Sequence, residues 1–96
     1  MIVSFGDKTT EDIYHGRNST AARRISVSLW ERIQTKLDVL NAAVSLQDLR
    51  SPPANHLEKL RGDLNGFHSI RINNQYRLIF RFEAGNCSDV QCADYH

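Results

Sequence analysis

From residue 68 the hydrophobic pattern of this chain has a period of two, and that alternation limits the fold more than any other feature. His68, Ile70 and Ile72 alternate with Ser69, Arg71 and Asn73; Tyr76, Leu78, Phe80 and Phe82 alternate with Arg77, Ile79, Arg81 and Glu83. A third run sets Ser88, Val90 and Cys92 against Asp89, Gln91 and Ala93. Turn residues separate the runs at Gly62–Gly66, Asn73–Gln75 and Ala84–Asn86. Side chains on a strand point alternately to opposite faces, so the carboxyl-terminal half predicts an antiparallel meander with one buried face. Upstream the period is three to four. Leu29, Ile33, Leu37, Leu40 and Val44, widened by Trp30 and Ala43, form one apolar stripe and predict a helix over 28–44, opened by a Ser28/Glu31 capping box. Pro52-Pro53 ends any helix before them. Before the main helix, Ile2–Phe5 reads as a short strand closed by Gly6-Asp7. A short helix near 10–15 follows, with Thr9 as N-cap and Gly16 at C′, and then a turn or two through Arg24, capped by Asn18 or Ser19. A short amino-terminal strand and helices followed by a meander make an α+β fold.

The chain has 96 residues, enough for one domain over 1–96 and one core. Cys87 and Cys92 lie five apart, so on an unbroken strand they face opposite ways, which disfavours a bridge. His15, His56, His68 and His96 are scattered, and no metal site is expected. His68 falls on the core face as a satisfied structural histidine, and His15 is expected to cap carbonyls at a helix end. No apolar run reaches membrane-spanning length and no signal peptide is visible, so a cytoplasmic protein is expected, with no membrane partner and no cofactor. Serine-hydrolase, P-loop, dinucleotide-binding and HExxH motifs are absent. Net charge is only +1, yet residues 50–81 hold six basic side chains and two acids. Such a distribution suggests a local anion site.

Strand register locates that site. A three-residue loop at 73–75 pairs Ile72 with Tyr76 and Ile70 with Leu78, which keeps all four on the core face. The same register sets Arg71 opposite Arg77 on the other face. A three-residue loop at 84–86 pairs Phe80 with Val90, Leu78 with Cys92, Arg81 with Asp89, and Arg77 with Ala93, with Tyr95 continuing on the arginine side. Like charges directly opposite are unfavourable unless both reach solvent or an anion sits between them. The small Ala93 leaves room for an anion, and two guanidinium forks fit a phosphate.

The remaining cluster is Glu58, Arg61, Arg71, Arg77 and the terminal Asp94-Tyr95-His96. RNA cleavage by its own 2′-hydroxyl needs a base, cations on the phosphate and an acid at the 5′-oxygen, but no metal. Glu58 or His96 can serve as base and the three arginines as cations, while Tyr95 orients the scissile group or stacks on a base. A second reading keeps the arginine face as a binding module without chemistry, docking an acidic protein segment or RNA. A third, direct reading of DNA, lacks a basic recognition helix.

Three segments together resemble a known family: Pro52-Pro53-Ala54-Asn55-His56-Leu57-Glu58-Lys59-Leu60-Arg61-Gly62-Asp63, Gly66 through Phe80, and Asp94-Tyr95-His96. With Phe5-x-Asp7-Lys8, Leu29-Trp30 and Leu37-Asp38-x-Leu40-Asn41-Ala42-Ala43, they are similar to the HigB branch of RelE-like toxins over nearly the whole chain. The resemblance implies helices on a curved antiparallel sheet. It implies a type II toxin that cleaves mRNA in the ribosomal A site without metal and so inhibits translation. Its implied partners are a HigA-type helix-turn-helix antitoxin, the ribosome and mRNA, with operator DNA reached only through the antitoxin complex. By position it assigns catalytic roles to Arg61, Arg77, Tyr95 and His96, with Glu58 where some relatives carry a catalytic histidine and Tyr76 where many carry tryptophan. Lys59, Arg71 and Asp94 are expected on the RNA- or phosphate-binding surface.

Overall fold

A computed structural model describes residues 1–94. Two α-helices, α1 (Lys8–Tyr14) and α2 (Trp30–Ala42), precede four strands: β1 (Glu58–Lys59), β2 (Phe67–Arg71), β3 (Tyr76–Glu83) and β4 (Asn86–Asp94). The strands pair antiparallel in the order β1-β2-β3-β4, the expected α+β meander. The stripe of α2 (Ile33, Leu37 and Leu40) is fully buried with Ile70, Leu78, Phe80 and Val90 of the sheet. Each such side chain contributes about 1.5–3 kcal/mol of burial. The amino terminus lies along the outer edge of β4. It makes two isolated parallel bridges, Ile2 with Cys87 and Phe5 with Val90, instead of the expected continuous strand.

Helix ends depart from the sequence expectations for local reasons. At α1 the cap is Asp7, extended at φ −151, whose carboxylate accepts from the Thr10 amide at 2.8 Å. Thr9 is already inside the helix, and its hydroxyl donates to the Ala21 carbonyl. Ser28 does not cap α2. Val27–Leu29 form a 3₁₀ turn that runs into the helix, so Ser28 lacks the extended backbone a cap needs, and its hydroxyl meets Ser26. The chain's capping box is instead Ser45/Asp48, at the 3₁₀ turn Leu46–Arg50. Because α2 stops at Ala42 and Ala43 is extended, Val44 leaves the helical phase and is 77% exposed. Ser19 does cap the 3₁₀ turn Ala22–Arg24, accepting from the Ala22 amide at 3.0 Å, and Gly16 takes the expected left-handed C′ conformation at φ +72. His15 closes α1 through its backbone, while its ring packs edge-on against Phe5 and Tyr14.

Asp12 ties this amino-terminal region together. Its buried carboxylate accepts from Ser19 (2.6 Å), Arg17 (3.2 Å) and Lys8 (3.4 Å). The Ser19 hydroxyl, followed by the two cations and against the cost of burial, holds its pKa below the usual carboxylate value.

The β2–β3 register is as expected, from Phe67 opposite Arg81 to Arg71 opposite Arg77. The β3–β4 register is not. Arg77 faces Ala93 and Leu78 faces Cys92, but Arg81 faces Ser88 and Phe82 faces Cys87. The turn holds only Ala84-Gly85, both at positive φ as a two-residue hairpin turn demands, and the extra residue forms a β-bulge where Asp89 sits at φ +52. Phe80 therefore loses its ladder partner, although the Arg81–Asp89 ion pair survives at 3.4 Å. The bulge also inverts the alternation along β4, so Cys87 is buried in the core and Cys92 packs against the same core. The expectation that the two thiols face opposite ways is thus overturned by one inserted residue. Both remain free thiols.

Candidate functional site

The site grows from the face of the sheet that carries arginines. Arg77 stands on β3 and Ser69 on β2, diagonal neighbours in the register. The Arg77 side chain crosses β2 toward β1. Its Nε donates to Ser69 Oγ at 2.8 Å, and its Nη2 donates to the His56 carbonyl oxygen at 2.5 Å and more weakly to the Ser69 carbonyl at 3.5 Å. Glu58, paired with Ser69 across β1–β2, brings a carboxylate oxygen 3.8 Å from the same Nη2. The Arg77 side chain is 12% exposed and that of Glu58 59%. A guanidinium cannot discharge by losing its proton, so this positive charge is permanent and fixed in place. Nη1 has no hydrogen-bond partner among the described residues.

Arg71, opposite Arg77, hydrogen-bonds to the Asn74 side chain, which holds it beside the turn. Asn73 shapes that turn by accepting from the amides of Gln75 (2.9 Å) and Tyr76 (2.7 Å). Between the two arginines lies an open cleft of about 320 Å³, lined by His56, Glu58, Arg71, Asn73, Asn74 and Arg77. Its lining brings together two cations, one carboxylate, two side-chain amides and His56, whose carbonyl anchors Arg77, a set suited to gripping a phosphodiester and accepting a proton beside it.

Of the residues expected at the site, Arg71, Arg77 and Glu58 come together in this cleft. Lys59 does not: it pairs with His68 and lines a separate hollow with Arg50, His56 and His68. Arg61 precedes the 62–64 turn and does not line the cleft. Asp94, at the end of β4 opposite Tyr76, accepts from Gln75 Nε2 at 3.2 Å. Tyr95 and His96 lie outside the described residues. His56, Asn73 and Asn74 went unselected in the sequence, although His56 stands two residues before Glu58 and the asparagines form the loop that sets the arginine register. His68 is not the satisfied core histidine expected. Its buried Nδ1 has no partner among the described residues, while its ring stacks on Phe80. Burial, then the Lys59 charge, lowers its pKa below the ordinary histidine value. No group of three metal-ligating side chains converges among the described residues.

Comparison with known proteins bears on this arrangement. Residues 3–96 match the family model of the HigB-like toxin, a RelE-like toxin of the type II toxin–antitoxin system HigB. Toxin HigB-1 of Vibrio cholerae serotype O1 is 42% identical over 85 residues, covering 88% of this chain and 87% of that one. An uncharacterised protein of Haemophilus influenzae is 48% identical over 67 residues, 70% of this chain and 66% of that one. Among solved structures, a chain of the YoeB–YefM complex from Staphylococcus aureus superposes with a TM-score of 0.61 at 18% identity, covering 100% of this chain and 98% of that one. A YoeB/ParE toxin from Agrobacterium tumefaciens gives 0.54 at 20% identity, over 99% and 98% of the two chains. These distant likenesses establish the fold, a curved meander carrying helices. The family match over almost every residue and the Vibrio relative establish more: this chain belongs to the HigB family of RelE-like toxins, the toxin half of a type II toxin–antitoxin pair.

Proposed function

We propose that the chain is a ribosome-dependent mRNA endonuclease that cuts by attack of the substrate's own 2′-hydroxyl and thereby stops translation. The observation that carries this reading is the pinned Arg77 guanidinium, facing Arg71 across a cleft that Glu58 and His56 also line. In the reaction the 2′-oxygen attacks phosphorus as its proton passes to Glu58 or His56. The phosphorus–O5′ bond then breaks, giving a 2′,3′-cyclic phosphate and a 5′-hydroxyl. Arg77 and Arg71 hold the charge that develops on the non-bridging oxygens. His96, matched by position to the family's terminal histidine, returns a proton to O5′, and Tyr95 orients the scissile group; Arg61, Lys59 and Asp94 contact flanking RNA. The P–O2′ bond forms as the P–O5′ bond breaks, one proton leaves O2′ and one reaches O5′, and no oxidation state changes, so side chains alone can supply base, acid and cations.

A net charge of +1 is too small for tight binding of free RNA, which scales with the number of phosphates neutralised. The ribosome therefore presents the mRNA, placing the scissile phosphate in the cleft and supplying the entropy of alignment. This work belongs in the cytoplasm. The proposed antitoxin is of the HigA helix-turn-helix type, and operator DNA is contacted through the complex. The test is to map mRNA 5′ ends in cells after inducing the wild type, Arg77→Ala or His96→Ala. New ends from the wild type alone, with antitoxin affinity retained by all three, support the proposal. An absence of new ends from the wild type, with antitoxin still bound, leaves the arginine face as a docking surface.

A further inference from the structure

The cleft between Arg71 and Arg77 does not end at Arg71. A second hollow of about 420 Å³ continues past it, lined by Arg32, Lys36, Ala54, Arg71, Ile72, Asn73 and Asn74. Arg71, Asn73 and Asn74 line both spaces, so an occupant of one touches residues that shape the other. The second hollow contains three cations and no carboxylate. None of Arg32, Lys36 and Arg71 makes an ion pair among the described residues. Arg32 and Lys36 are one turn apart on α2, where i and i+4 side chains share a face.

Lys36 and Arg71 are held by side-chain amides. The Lys36 ammonium hydrogen-bonds to Asn55 Oδ1, and Asn55 is fully buried with its amide donating to the Leu49 (3.2 Å) and Ser51 (3.3 Å) carbonyls. Arg32 Nη1 reaches the Ile72 carbonyl only at 3.5 Å, a weak contact that a charged acceptor would replace. Three like charges around one open hollow repel each other, and a bound anion offsets that repulsion. Core packing does not explain Arg32, which is exposed on the helix.

We infer that this hollow is a second phosphate subsite, in which Arg32 and Lys36 of α2, with Arg71, hold the phosphodiester next to the scissile one on the same RNA strand. The inference rests on the nuclease reading of the first cleft. It assigns α2 a share in substrate binding: the helix whose inner face builds the core carries the strand's next phosphate on its outer edge.

The test uses non-cleavable 2′-O-methyl oligonucleotides and the full chain, with binding followed by NMR at several salt concentrations. A dinucleotide carries one phosphodiester and a trinucleotide two. For the wild type, the trinucleotide should bind up to about fivefold more tightly, the upper range for one exposed charge pair. The slope of log affinity against log salt should steepen by about 0.7, the value per neutralised phosphate on a single strand. Arg32→Gln should abolish both gains and leave dinucleotide affinity unchanged. Lys36→Gln should do the same if its amide spectrum remains that of a folded chain; Arg32→Gln, altering an exposed side chain, stands without that condition. The inference is overturned if Arg32→Gln keeps the trinucleotide gain, or weakens both ligands equally. It is also overturned if Arg32→Gln weakens ribosome pelleting while the gain persists, because the hollow then serves ribosomal RNA. Arg77→Ala is the separate control: unchanged dinucleotide binding in that variant defeats the nuclease reading itself.

Discussion

Replacing Arg77 by lysine keeps its charge and removes its fork. The guanidinium spends Nε on Ser69 Oγ at 2.8 Å and Nη2 on the His56 carbonyl at 2.5 Å, leaving Nη1 for an oxyanion. A lysine ammonium has three donors on one atom and cannot reach both anchors, one on β2 and one in the turn before β1, while facing the cleft. Losing one preorganised donor to a developing oxyanion costs about 10²–10³ in rate, or about 3–4 kcal/mol. Stability falls as well, since Ser69 is fully buried and its hydroxyl loses its partner, at about 1–3 kcal/mol. In a domain of this size each kcal/mol moves Tm by about 4–8 °C, so a drop of about 4–24 °C is expected. The ion pair with Glu58 adds little, at 3.8 Å and with a largely exposed carboxylate. The assay is single-turnover cleavage on programmed ribosomes, at a temperature where circular dichroism shows both proteins folded. Ser69→Ala, which keeps the fork but unpins it, should fall between the two. A lysine variant within threefold of the wild-type rate, with unchanged Tm, refutes the claim that Arg77 acts as a fixed fork.

Three further outcomes follow from the same contacts. Asp12 has a folded pKa below its ordinary value of 3.8, so its contribution is fully present above that value and is lost as pH falls toward the folded one. Melting temperature should drop on acidification through this range, and Asp12→Asn should melt lower at neutral pH with a flatter acid limb. Burial pushes Cys87 up to about 11 and Cys92 up to about 12, so both thiols should resist a thiolate-selective reagent at pH 8 and react on unfolding. Rapid labelling of the native chain would contradict their packing against the core. Asp89 holds the bulge at φ +52, which a β-branched residue tolerates poorly; Asp89→Val should cost about 1–2 kcal/mol in urea denaturation, whereas Asp89→Asn should cost less than Asp89→Val.

Much of this molecule was legible in alternation alone. Ile70, Ile72, Tyr76 and Leu78 fix the β2–β3 register because a one-residue slip exposes all of them, and that register sets Arg71 against Arg77. The β3–β4 hairpin was harder, because a two-residue turn plus a bulge gives the same pairing at Leu78 and Cys92 as a three-residue turn. Only Gly85 and Asp89, residues that tolerate positive φ, hinted at the difference; Ala84, also at positive φ, carries no such mark. The Ser28/Glu31 pattern misled since a cap depends on backbone entry geometry, which the preceding 3₁₀ turn decides. At the site, Glu58 was found through its charge. His56 was not, because its place in the cleft comes from a left-handed turn at φ +46 that no periodicity marks. Lys59 shows the converse: adjacent to Glu58 in sequence, it points to the other side of the sheet edge, as neighbours on a strand must.

The most direct measurement of the proposed chemistry removes the nucleophile from the substrate. Ribosomes are programmed with an mRNA carrying a single 2′-deoxy nucleotide immediately 5′ to the scissile phosphate, and product ends are compared with those from the all-ribose message. If the cleft between Arg71 and Arg77 activates the 2′-hydroxyl, the ribose message yields a 2′,3′-cyclic phosphate and a 5′-hydroxyl, with or without chelator, and the deoxy message stays intact at that position. Cutting of the deoxy message at the same bond, or a 5′-phosphate on the product, would show that water or another nucleophile does the work.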